Sequence, residues 1–134
     1  MHINYLAIIA ATALAFLFSA GYYILLNKKV MELRRTTLDK KVDVRTTMTP
    51  NKIIIELVRT FILGIVMAYA VGFLELTQFV QALVVAIWLW VGFPVVLLVG
   101  SVIHEHFPPR LAAIHAGDWL AKLVIFAVIL TLWR

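Results

Sequence analysis

"VQALVVAIWLWVGFPVVLLVGSVI", residues 80–103, runs its whole length without a charged side chain. About 20 mostly apolar residues in a helix cross the hydrocarbon core of a bilayer. A helix of that length on a soluble protein would show a polar face. Here the polar side chains are Gln81 and Ser101, one near each end. The stretch therefore reads as a transmembrane helix, and the rest of the chain follows from it.

Of the 134 residues, 63% are hydrophobic and 14% charged, against about 45–50% and about 25% in soluble domains. The mean hydropathy is +0.99. Such an excess would give a soluble protein of this size an aggregating surface. Three more segments have spanning length and composition, at 5–26, 53–76 and 111–133. The expected fold is all-α: an integral membrane four-helix bundle forming one domain, 1–134. A basic loop covers 27–52, a tight turn lies near 75–79, and "HEHFPPR" fills 104–110.

Charge gives the orientation. The 27–52 loop holds Lys28, Lys29, Arg34, Arg35, Lys40, Lys41, Arg45 and Lys52 against Glu32, Asp39 and Asp43, which is the whole net charge of +5. Cytoplasmic loops carry such an excess of Lys and Arg. The reading is a multi-pass protein of a bacterial inner membrane, with loops 27–52 and 104–110 inside and both termini outside. "MHIN" lacks a basic n-region, so the first span reads as a retained anchor and not as a cleaved signal. No aromatic residue lies in the basic loop to stack on bases. The expected partner is thus the lipid bilayer and not nucleic acid.

The chain has no cysteine, which excludes disulfides, thiolate metal sites and thiol nucleophiles. It shows no phosphate loop, nucleophile elbow or paired catalytic carboxylates. No enzyme activity and no cofactor are expected. His104 and His106, at i,i+2, point to opposite sides of a regular helix. As loop residues they could approach a metal together with His115, but exposed loop histidines are the ordinary case, and no metal site is expected.

Local signals support the boundaries. Thr49-Pro50 has the form of an N-cap followed by proline in the first turn, and Pro108-Pro109 opens the fourth span similarly. Pro94 lies mid-span and predicts a kink. Small residues recur every fourth position: Ala7, Ala11, Ala15, Ser19; Thr60, Gly64, Ala68, Gly72; Ala113, Gly117, Ala121. Such ridges let helices approach closely in lipid, within a bundle or at the seam of a homo-oligomer.

The polar residues inside the spans carry the functional question. On a helix His115, Asp118 and Lys122 point at roughly 0°, 300° and 340°, one stripe about 60° wide. Asp118 and Lys122 are spaced i,i+4 with the acid first, the favourable order for an ion pair. Lys122 lies about 20 Å from Pro109 and about 18 Å from Arg134, close to the bilayer midplane. A lysine there costs about 2.5–3.5 kcal/mol on the insertion scale. Glu56 and Arg59 repeat the pattern at i,i+3 near the cytoplasmic start of the second span, and Tyr22, Tyr23, Asn27, Ser101 and His104 lie toward the same leaflet. A cytoplasm-facing polar cavity is the expectation, with His115, Asp118, Lys122, Glu56 and Arg59 as its candidate binding residues. The bland reading is that both pairs fix helix register, with long side chains snorkelling to the headgroups.

Beyond these patterns the chain resembles a known family. The residues are Asn4, Gly21-Tyr22-Tyr23, Gly92-Phe93, Glu105, "AIHAGDWLAKL" at 113–123, and the closing Trp133-Arg134. They are similar to the small bacterial integral membrane proteins of domain of unknown function seventeen sixty-one. The resemblance implies membrane localisation and the four-span plan, and it brings no activity with it. Two functions compete. One is a small channel or transporter-like protein moving an unidentified ion or solute, which needs solvent to reach Lys122. The other is a structural or accessory membrane protein, which needs Lys122 dry and paired.

Overall fold

A computed structural model describes residues 2–37 and 49–133. Residues 38–48, with Lys40, Lys41 and Arg45 of the expected loop, and Arg134 lie outside the described residues. The elements are α1 (Tyr5–Leu25), α2 (Asn27–Thr37), α3 (Pro50–Phe73), α4 (Phe79–Trp90), a π-helical turn (Val91–Val95), α5 (Val96–His104) and α6 (Pro109–Leu132). Four helical stretches are long and apolar enough to cross a membrane: α1, α3, α4 continued through α5, and α6.

The caps explain the starts. Asn4 accepts the Ala7 N–H at 3.1 Å to open α1, and Thr49 accepts the Lys52 N–H at 3.4 Å to open α3, with Pro50 in its first turn. Each supplies a partner to one of the free N–H groups that every helix start leaves. Pro94 has no N–H to give and sits inside the π-helical turn. The wider turn relieves the clash of its ring with the preceding turn. The expected kink therefore takes the form of a π-bulge that divides the third span.

Part of the segment expected as loop is helical. Leu26, at φ −97° and ψ 6°, bends the chain out of α1, and α2 restarts at Asn27. Val30 of α2 is buried with Leu111 and Ile114 of α6, and Tyr22, Tyr23, Leu26, Leu33 and Phe107 pack around them. This small apolar cluster holds α2 against the bundle.

The centre of the bundle is α6, which packs on α1, α3 and α4; α1 also packs on α3. On α1 and α3 the first three positions of each ridge are buried, Ala7, Ala11 and Ala15, and Thr60, Gly64 and Ala68, whereas Ser19 and Gly72 at the ends are half-buried. The ridge on α6 meets α1 at Gly117, against Tyr22, but does not continue as a seam. Ala113 is exposed, and the buried positions include Leu111, Ile114, Leu123, Phe126 and Leu130. A helix with neighbours on several sides needs bulky side chains to reach them, whereas the flanking helices need small ones to receive them. Phe126 shows the fit: a Cβ placed on Gly64 would sit 2.6 Å from its Cε1 and 3.2 Å from Ile8 Cγ2. Large apolar side chains such as Leu6, Leu17, Ile62, Trp88 and Leu97 point outward, toward lipid.

Candidate functional site in the inner half of the bundle

Asp118 and Lys122 face inward on α6, their side chains 6% and 8% exposed, with Lys122 Nζ 3.0 Å from Asp118 Oδ2. The i,i+4 spacing alone brings them together. The ammonium also lies 5.7 Å from the centre of the Trp119 ring, within cation–π range. Asp118 Oδ1 is buried and meets no hydrogen-bond donor among the described residues. A carboxylate in a dry interior ordinarily fills both oxygens, so this half-used carboxylate is the most unusual polar group in the bundle.

Aromatic side chains from two other helices close around the same stretch of α6. Tyr22 donates its O–H to the Ile114 carbonyl at 2.9 Å, and Trp90 donates its indole N–H to the Ala116 carbonyl at 2.8 Å. Tyr23 Oη and His115 Nδ1 are hydrogen-bonded at 2.5 Å, with the donor set by the imidazole tautomer. Phe107 lies beside the same imidazole, 5.9 Å between ring centres. The sequence placed Tyr22 and Tyr23 in this leaflet but did not single out Trp90. Its available signal was depth: a tryptophan away from the membrane interfaces, where the type is enriched, needs a partner for its N–H.

Gly117 is what lets Tyr22 in. A Cβ there would stand 2.7 Å from Tyr22 Oη. Gly117→Ala is expected to push the phenol off the Ile114 carbonyl and to lower stability by about 0.5–1.5 kcal/mol, the worth of one such bond. Tyr22→Phe should cost about the same, and the double variant little more than either. Denaturant titration of the three proteins checks this, and fully additive losses would separate Gly117 from Tyr22.

The other expected members stand apart. Arg59 Nη1 and Glu56 Oε1 pair with each other at 2.5 Å, with side chains 57% and 34% exposed. No ion pair or hydrogen bond among the described residues joins them to Asp118 or Lys122. Pairs so exposed contribute about 0–1 kcal/mol. His104 and His106 are exposed at the end of α5, where His106, at φ 55°, turns the chain. Among the described residues, no group of three or more His, Cys, Asp or Glu is arranged to hold a metal ion.

Among the described residues, four apolar helices of spanning length, three of them packed on α6 with its buried ion pair, define a polytopic α-helical membrane protein. The family model described as "Protein of unknown function (DUF1761)" matches residues 6–131, and the chain belongs to that family. Comparison with curated proteins and with solved structures gave no match.

Proposed function

We propose that the protein is a small channel or transporter-like protein of a bacterial inner membrane, and not an enzyme, with its polar centre at His115, Asp118 and Lys122. The observation that carries this reading is the bare, buried Oδ1 of Asp118. A buried carboxylate oxygen with no protein donor among the described residues is open to a water, a proton or a small hydrogen-bond donor. A site that exchanges a proton or a small hydrogen-bond donor needs that oxygen free. Glu56 and Arg59 belong to the entrance on this reading and not to the centre. On this reading solvent reaches Lys122, whose side chain is 8% exposed, when the bundle opens.

The second reading, a structural or accessory protein, draws on the burial and pairing of Lys122. Flux separates the two. Purified protein in liposomes should show a pH-dependent flux of protons or simple ions that Lys122→Met abolishes while the bundle stays folded. No flux of protons, simple ions or small anions between about pH 5 and 8, the range in which histidine switches, leaves the structural reading.

The proposal includes orientation and assembly: both termini outside, the α2 end inside, and association of copies through lipid-facing helices. With no native cysteine, labelling tests the orientation directly. A cysteine at Glu32, exposed on α2, should react only with reagent that enters the cell; one at Thr77, exposed in the α3–α4 turn, should react from outside. The reverse pattern inverts the protein.

A further inference from the structure

At the end of the bundle away from α2, a cavity of about 490 Å³ opens where the start of α1 meets the ends of α3 and α6. That volume is within the range of small-molecule sites, about 300–1,000 Å³. Its apolar wall includes Ala68, Val71 and Leu130, and its rim includes Glu75, Thr77 and Trp133. Asn4 braces one side, its side-chain N–H₂ donating to the Trp133 carbonyl at 3.4 Å. Among the described lining residues, Glu75 brings a carboxylate.

The backbone marks Glu75 out independently of the cavity. The α3 helix ends in a Schellman motif: Leu76 N–H donates to the Val71 carbonyl at 3.0 Å and Glu75 N–H to the Gly72 carbonyl at 3.2 Å. The motif puts its first residue beyond the cap in the left-handed region, a position glycine fills by preference. Glu75 holds it, at φ 49°. A residue kept against its local conformational preference in the wall of a cavity is a candidate for function.

We propose that this cavity binds the primary ammonium head of an amphiphile, its carbon chain leaving along the apolar wall. The Glu75 carboxylate accepts from the ammonium, the Thr77 hydroxyl offers a second acceptor, and the Trp133 ring offers its face to the cation. A quaternary ammonium has no N–H for those acceptors, and an anionic head meets the carboxylate as a like charge. The end of a spanning bundle lies at headgroup depth, so an ethanolamine phospholipid and a free alkylamine both present the required group.

The test uses the full chain in neutral detergent, with native mass spectrometry against equimolar short-chain phosphatidylethanolamine and phosphatidylglycerol. The parent should retain one phosphatidylethanolamine with roughly tenfold preference or more, the worth of one charge-assisted hydrogen bond. Glu75→Gln should erase that preference. Glu75→Gly should erase it too, while melting no lower than the parent because glycine suits the left-handed position. A second arm titrates octylammonium. Retention of the phospholipid with no octylammonium binding assigns the site to lipid, and the converse assigns it to free amines. Absence of both, or a preference that survives in Glu75→Gln and Glu75→Gly, overturns the proposal. It stands apart from the Asp118–Lys122 site, and neither glutamate variant touches that pair.

Discussion

Phe126→Ala should lower the stability of the bundle by about 2–4 kcal/mol, measured as unfolding free energy in a denaturing-detergent titration. In water, removing a buried phenylalanine costs about 3–5 kcal/mol, part of it transfer of the ring to solvent and part the cavity left behind. In lipid the transfer part shrinks, because hydrocarbon surrounds the helices in either state. The packing part remains, and here it is large: Phe126 is fully buried where Ile8 of α1 and Gly64 of α3 converge on α6. Gly64→Ala should also destabilise, by about 1–3 kcal/mol, since its new Cβ would need the ring to move and neighbouring side chains leave little room. Combining the two should cost less than the sum, because the methyl enters space the ring has left. Simple additivity would mean that Gly64 and Phe126 do not meet.

That pair also shows where sequence reading stops. The four-residue ridge marked Gly64 as a packing position, because small residues at that spacing have one main use between helices in lipid. Nothing in the spacing said that the receiving groove would take a ring from the fourth span. The spans themselves and the cap at Thr49 depend on composition and on neighbours in the chain, so they are legible. The Asp118–Lys122 pair is legible for the same reason, being set by one turn of one helix. The contacts of Tyr22 and Trp90 with α6 depend on how separate helices dock, which no local pattern encodes. Glu56 is a different case. Its i,i+3 place beside Arg59 in the second span suggested the polar cavity, yet the first turns of α3 leave it a third exposed and paired locally with Arg59. The helix α2 is locally encoded, since Leu26, Val30 and Leu33 fall at i, i+4 and i+7 among good helix formers, but its charge run reads first as a topology signal.

Asp118 and Lys122 should prove strongly coupled, and the size and sign of that coupling decide between the two functions. Asp118→Asn leaves the Lys122 ammonium facing a neutral amide, and Lys122→Met leaves a carboxylate with no donor on either oxygen. Stranding one charge of a buried pair typically costs ~3–5 kcal/mol. The double variant carries no charge at either site, so its loss should fall well below the sum of the singles. Two single losses that simply add would show that the pair is not formed. Further discrimination comes from the double variant itself. Replacing a buried ion pair by neutral groups of similar volume is often neutral or stabilising by about 1–4 kcal/mol. A protein that kept the pair only for its architecture should then lose register or assembly when the pair is removed, which crosslinking between α1 and α6 would reveal. A protein that kept the pair for exchange at Asp118 Oδ1 should keep its assembly, melt at or above the parent temperature, and lose flux. Stability gained together with flux lost is the outcome that a working site predicts and that a register pin does not.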